Sequence, residues 1–273
     1  MSSRPITFLS DYGVDGEFAG VCRGVVARIA PEAAVIDLAH GIRPHAVREG
    51  ATILANSLPY CPPGVHLAVV DPGVGSPRRA LAVRAELDDR VLIGPDNGLL
   101  WPALRRLGGA TQAVDVSRSP VRLEPVSATF HGRDLFAPVA AHLALGAALG
   151  DSGEAIDPAT LARLELPPPE LSEGRIRARV VAVDGFGNLQ LNVRADDMRA
   201  SGFELGDCVE VLSSRRTGEA VYARTFSDVG ERQAVIIEDS SGCMAVAVNQ
   251  GRAAGALGIG ADAELLLQPC DDH

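Results

Sequence analysis

The run Leu166-Pro167-Pro168-Pro169-Glu170 constrains this chain more than any other stretch, because it divides two different periodicities. Successive prolines remove backbone donors and fix φ, so neither a helix nor a central strand continues through them. Before the run, short apolar segments alternate with helical spacings; after it, helical spacing nearly vanishes. The pattern predicts an α/β domain over residues 1–165, a semi-rigid linker over 166–175, and a small β-barrel or sandwich over 176–273.

Within the first part, residues 6–9, 35–38, 65–70 and 91–93 read as strands, and 47–54 and 99–107 as helices. Phe18, Cys22, Val25 and Ile29 recur at helical spacing and predict one buried face. An alanine- and leucine-rich helix is expected over 135–149. In the second part, 176–183, 208–212, 221–225, 234–238, 244–248 and 263–267 are β-rich runs separated by glycines and polar turns.

With 273 residues, 47% of them hydrophobic, the chain has material for two cores. A net charge of −10 opposes a nucleic-acid backbone as partner. No apolar run approaches the roughly 20 residues a bilayer requires, so no membrane association is expected. Met-Ser-Ser-Arg-Pro leads straight into a strand without a signal-peptide core. Cys22, Cys61, Cys208, Cys243 and Cys270 are scattered, with none at the two-residue gap of zinc or redox motifs. Reduced thiols, no metal site and a cytoplasmic location are therefore the expectation.

The polar turns carry the functional signal. Asp11 follows the first strand, Asp71 the third, and Asp96-Asn97 a later one. If these strands are parallel neighbours, their trailing turns meet in one crevice, where open α/β sheets bind ligands. Taken singly, each aspartate is explained by its turn. Asp71-Pro72-Gly73-Val74-Gly75-Ser76 permits a tight backbone path, and Arg78 puts a permanent cation within reach of Asp71. The plain alternative is a structural ion pair. Thr129-Phe130-His131-Gly132-Arg133-Asp134 sets His131 near a helix start, where the local potential disfavours protonation. Arg133 and Asp134 read as a charge pair, and His40, His45, His66, His142 and His273 lack a comparable polar setting.

Beyond the prolines, Asp184-Gly185-Phe186-Gly187-Asn188 reads as a hairpin turn, which leaves the aromatic at its tip unexplained. An exposed Phe186 can stack on a flat base while Asp184 and Asn188 take polar ends of a ligand. The turn Asp239-Ser240-Ser241-Gly242 and the string Asn249-Gln250-Gly251 flank another strand, and amides can read a purine edge.

Together these strings, with Phe8-Leu9-Ser10-Asp11-Tyr12-Gly13 and Pro95-Asp96-Asn97-Gly98-Leu99-Leu100, resemble the S-adenosyl-L-methionine (SAM) hydroxide adenosyltransferase family, relatives of the fluorinases and chlorinases. The resemblance implies a Rossmann-like N-terminal α/β domain followed by a smaller C-terminal β-barrel domain. It also implies a homotrimer with active sites between the N-terminal domain of one subunit and the C-terminal domain of the next. SAM is then the substrate rather than a cofactor, attacked by water at ribose C5′ to release adenosine and methionine. Asp71, Arg78 and His131 correspond to the water-activating triad, and Asp11 to the carboxylate holding the ribose hydroxyls. Asp184 and Ser240 match positions anchoring the methionine part. Phe130 belongs to the same substrate-binding set, and Phe186, Asn188, Val248, Asn249 and Gln250 fall around the nucleoside.

The chain also departs from the halogenases. They have tyrosine where Asp71 stands, and fluorinases have serine at Gly132, tryptophan at His45 and arginine at Ser241; the fluorinase loop that would fall around 83–90 is absent. A carboxylate at the nucleophile site repels a halide and accepts a protic nucleophile. The competing expectations are a chlorinase-like halogenase and a non-catalytic SAM- or adenosine-binding protein.

Overall fold

The computed structural model describes residues 3–165 and 167–270; residues 1, 2, 166 and 271–273, among them Leu166 and His273, lie outside. Two compact units meet at the 165/166 boundary.

The first unit is a seven-stranded sheet built from β1 (Ile6–Ser10), β2 (Val35–Ala39), β3 (Val65–Val69), β4 (Ala80–Ala85), β5 (Val91–Pro95), β6 (Ala110–Asp115) and β7 (Glu154–Ile156), in the order β2-β1-β3-β5-β4-β6-β7. The strands β2, β1, β3 and β5 are parallel; β4, β6 and β7 pair antiparallel. Sequence reading missed β4 and β6. The near-continuous apolar run of β4 is not distinguished from a buried helix by periodicity.

Helices α1 (Glu17–Ile29), α2 (Val47–Ser57), α3 (Trp101–Arg106) and α4 (Ala137–Ala144) cover both faces of the sheet. Ile6 and Phe8 share a core with Val25 and Val139, whereas Leu9 shares another with Leu54 and Leu104. Alternate residues of β1 therefore feed opposite layers. Two helix expectations are corrected. Phe18 is 43% exposed, because α1 buries Ala19, Cys22, Val25 and Val26 instead. The helix expected over 135–149 begins earlier, with a wide turn over Gly132–Phe136 in which Ala137 N–H donates to Gly132 O. It then stops at Ala144, and Gly146 follows with φ +95°.

The second unit comprises β8 (Glu170–Ser172), β9 (Arg175–Val183), β10 (Leu189–Leu191), α5 (Ala195–Ala200), β11 (Cys208–Leu212), β12 (Thr217–Tyr222), β13 (Ala234–Glu238), β14 (Met244–Val248), α6 (Ala253–Leu257) and β15 (Glu264–Pro269). The order β10-β14-β13-β12-β11-β15-β9 closes through the β9–β10 pairing into a seven-stranded barrel. Closure leaves no unpaired edge among these strands. Val180, Leu191, Val211, Ile236, Val246 and Leu267 fill the interior. Part of the expected linker is strand β8, which pairs with β9 once the prolines are past.

The expectation that all cysteines are reduced is overturned: Cys208 and Cys270 form a disulfide. Val209 pairs with Pro269 in the antiparallel β11–β15 ladder, which brings Cys208 and Cys270 to a Cα separation of 5.5 Å. A sequence separation of 62 hides the pairing. Cys22, Cys61 and Cys243 take no part in this disulfide. No helix among the described residues is long and apolar enough to cross a membrane.

Candidate active site

The strands β1, β3 and β5 are parallel neighbours, so the turns after them open along one sheet edge, and Asp11, Asp71 and Asp96 stand there. Their uses differ. Asp96 accepts from Arg79 Nε at 2.7 Å and from Ala162 N–H at 2.8 Å. Asn97 donates to Val70 O at 2.8 Å and accepts from Leu99 N–H at 3.1 Å. Both are occupied by structure.

Asp71 and Arg78 are withdrawn from solvent, with side chains 5% and 10% exposed. Arg78 Nε donates to Oδ1 and Oδ2 of Asp71 at 2.9 and 3.1 Å, and Nη2 donates to Oδ2 as well. The same Nη2 reaches His131 Nδ1 at 2.8 Å. One guanidinium thus binds both partners, a geometry its planar fork permits and an ammonium does not. The glycines of the 71–78 loop bring this about. Gly75 has φ +79°, and a Cβ there would lie 2.5 Å from Ala128 O. The close backbone approach seen here is to the segment leading into His131.

A guanidinium only donates, so His131 Nδ1 is the acceptor and the imidazole proton sits on Nε2. Burial, then the Arg78 cation, holds His131 below its usual range, while Asp71 opposes that shift. Burial and the Arg78 cation act in the same direction as the helix-start potential expected from sequence. Protonating Nδ1 would break the bond to Arg78 and oppose two cations. His131 is therefore expected to remain neutral below pH 6.5, the value of a free imidazole. NMR titration of its ring protons checks this: Arg78→Gln moves the midpoint up and Asp71→Asn moves it down.

Asp11 Oδ2 accepts from His45 N–H at 2.9 Å, and His45 holds a left-handed φ of 68° to present it. Three histidines set aside on sequence have polar partners after all. Besides His45, His40 binds Ser10 Oγ at 2.7 Å and Asp37 Oδ1 at 3.0 Å. His66 lies between Thr7 and Arg90, and burial followed by the Arg90 and Arg4 cations pushes it down to about 3. Phe130 packs edge-on against Tyr12 and Phe18, with ring centroids 5.7 and 5.1 Å away. Arg133 and Asp134 form the expected pair, at 2.6 and 2.9 Å. A cavity of about 470 Å³ opens onto Arg78 and His131 between Ser76, Arg122 and Glu124.

The second unit carries a cavity of about 1000 Å³ lined by Phe186, Asn188, Val248, Asn249 and Gln250. Phe186 is 79% exposed at the tip of its turn. Asp184 turns inward: Oδ1 accepts from the N–H groups of Phe186 and Asn188, and Oδ2 from Asn188 Nδ2, at 2.8–2.9 Å. Arg252 donates to Gly185 O at 3.0 Å and Ala254 N–H to Gly187 O at 2.9 Å, bracing the turn from the α6 side. Asp184 and the exposed Ser240 do not line this cavity. Phe226, Arg232 and Arg252 do, and sequence reading missed them. The available signal was Thr225-Phe226-Ser227-Asp228, a capping box that projects an aromatic much as the 184–188 turn does.

Among the described residues, the metal-ligating atoms that cluster are those of Cys208, Glu219 and Cys270, and the two sulfurs are bonded to each other.

These features define a class: a two-domain protein whose α/β unit holds a buried acid–guanidinium–imidazole cluster and whose β-barrel unit holds an aromatic-rimmed cavity. The chain belongs to the SAM hydroxide adenosyltransferase family, whose N-terminal domain matches residues 6–153 and whose C-terminal domain matches 178–266. It is 48% identical to the (R)-S-adenosyl-L-methionine hydrolase of Salinispora tropica, covering 93% of this chain and 94% of that one. The hydrolase of the same name from Thermus thermophilus is 41% identical, over 94% and 96% of the two chains. A fluorinase from Actinopolyspora mzabensis is 30% identical over 90% of this chain and 91% of its own. The crystal structure of an uncharacterized conserved protein from Thermotoga maritima superposes with a TM-score of 0.88 at 32% identity, covering 96% of this chain and 99% of that one.

Proposed function

We propose that this protein hydrolyses SAM to adenosine and L-methionine, with Asp71, Arg78 and His131 holding the attacking water. The observation that carries the reading is the single guanidinium of Arg78 bound at once to a buried carboxylate and to a neutral imidazole. The close relatives named as hydrolases of (R)-SAM support it.

The chemistry follows from the charges. Attack of water oxygen on C5′ breaks the C5′–S bond, the bonding pair leaves on sulfur as a neutral thioether, and one proton is released. The leaving group needs no acid; the difficulty lies in the nucleophile. Arg78 makes three contacts to Asp71, leaving a lone pair on Oδ1 for a water proton, and His131 offers Nε2–H to the water oxygen. Acceptor and donor together fix the water and share its developing charge. Asp11, braced by His45, keeps Oδ1 for a ribose hydroxyl. Phe186 and the amide-bearing wall beside it take the nucleoside.

A homotrimer, with each site joining the α/β unit of one chain to the barrel unit of the next, completes the proposal. Neither cluster alone meets every part of the substrate. Asp71→Asn and Phe186→Ala, each slow at SAM concentrations well below the wild-type KM, should together exceed the average of the two after refolding as a mixture, because about a quarter of randomly mixed interfaces regain both intact halves. No such excess would contradict sites shared between chains. Incubation of the wild type with SAM in chloride or fluoride should yield adenosine and methionine. A 5′-halogenated nucleoside as the main product would favour the halogenase reading.

A further inference from the structure

Tyr12 follows Asp11 in the turn after β1, and neither its ring nor its hydroxyl has a role in the mechanism above. The ring is clamped. It meets Phe8 edge-on with centroids 6.4 Å apart, Phe18 at 5.9 Å, and Phe130 edge-on at 5.7 Å. Three aromatic neighbours leave the phenol little rotational freedom and aim its oxygen at one place.

That place is the backbone of Gly132, next to His131. A Cβ on residue 132 would lie 2.0 Å from the Tyr12 hydroxyl oxygen and 2.9 Å from the ring carbon bearing it. Real carbon atoms do not approach so closely, so the hydroxyl occupies space that any side chain at 132 would claim. Gly132 is not a left-handed position, so backbone conformation does not explain the glycine. The phenol explains it.

The hydroxyl also lies within electrostatic reach of Asp11, Asp71 and Arg78. Burial, reinforced by nearby acidic groups, pushes its pKa far above the ordinary phenol range, so it keeps its proton and can donate. Tyr12 N–H donates to Ser10 Oγ at 3.3 Å, but the hydroxyl has no hydrogen-bond partner among the described residues. The hydroxyl is not among the fully buried polar atoms without a partner, so a bound water can reach it.

We infer that the Tyr12 hydroxyl donates a hydrogen bond to the attacking water oxygen, and that Gly132 is the opening that lets it reach. This inference rests on the hydrolase reading. It makes Tyr12 a further residue in direct contact with the nucleophile and pairs positions 12 and 132 as a unit that admits water.

The test is Tyr12→Phe, which deletes one oxygen and keeps the aromatic clamp. Purified full-length enzyme is assayed for adenosine formed from SAM, with substrate affinity measured separately by calorimetry. The expected result is a fall in kcat of about 10-fold or more, with KM and SAM affinity within about twofold of wild type. Gly132→Ala, which drives a methyl into the hydroxyl's place, should cause a comparable loss of kcat. The double variant should be no slower than the slower single one, because both changes remove the same contact. Wild-type kcat in Tyr12→Phe, a loss confined to KM, or fully additive losses would overturn the inference. A wild type that forms no adenosine would overturn the hydrolase reading instead, so the two failures are distinguishable.

Discussion

Replacing Arg78 with alanine is expected to lower turnover on SAM by about 100-fold or more, equivalent to about 2.7 kcal/mol of barrier. Arg78 binds both Asp71 and His131, so its removal separates the acceptor from the donor as well as deleting a cation. The change also strands a buried carboxylate, and breaking such a pair costs about 3–5 kcal/mol in stability. Thermal melting must accompany the kinetics for that reason. Asp71→Asn preserves shape while removing the charge, and should show a similar kinetic loss with a smaller drop in Tm. Arg78→Lys keeps the cation without the fork, so it should recover only part of the rate. Wild-type turnover in a folded Arg78→Ala enzyme would remove the proposed triad.

Phe186→Ala should act on the other side of the reaction. Stacking of a base on an aromatic ring contributes about 1–3 kcal/mol by alanine substitution, so KM and Kd for SAM should rise by about 5- to 150-fold. A ring stacked on the base would contact ground state and transition state equally, so kcat should change little. At 79% exposure its loss leaves no hole in the barrel, and Tm should stay near wild type. Titration calorimetry with adenosine, the smaller ligand, isolates the nucleoside contribution. Unchanged affinity would make Phe186 part of the turn alone.

How much of this is legible in the sequence depends on distance along the chain. Asp71, Arg78 and His131 stood out because each sits in a short string of turn residues, but their joint role was legible only through the family resemblance. The parallel neighbourhood of β1, β3 and β5 sets Asp11, Asp71 and Asp96 along one edge, while the contacts of Arg78 with Asp71 and His131 emerge only from the fold. Asp96-Asn97 had the same signature and went elsewhere, because nothing local reveals that Arg79 and Ala162 come to meet Asp96. Cys208 and Cys270 failed for the same reason: their pairing is a property of the β11–β15 register. Phe18 was placed in the core because helical spacing counts apolar residues without knowing which neighbour arrives. Tyr12 was passed over because its hydroxyl acquires meaning only from the absence of a side chain at Gly132, a residue far along the sequence.

The position of the new bond is the claim on which the rest depends. The enzyme should be incubated with SAM in ¹⁸O-labelled water and both products weighed by mass spectrometry. The account predicts one labelled oxygen in the 5′-hydroxyl of adenosine and none in methionine, because water attacks C5′ and sulfur departs with its electron pair. Adenosine without the label, or label appearing in the methionine fragment, would show that a different bond is broken and contradict it.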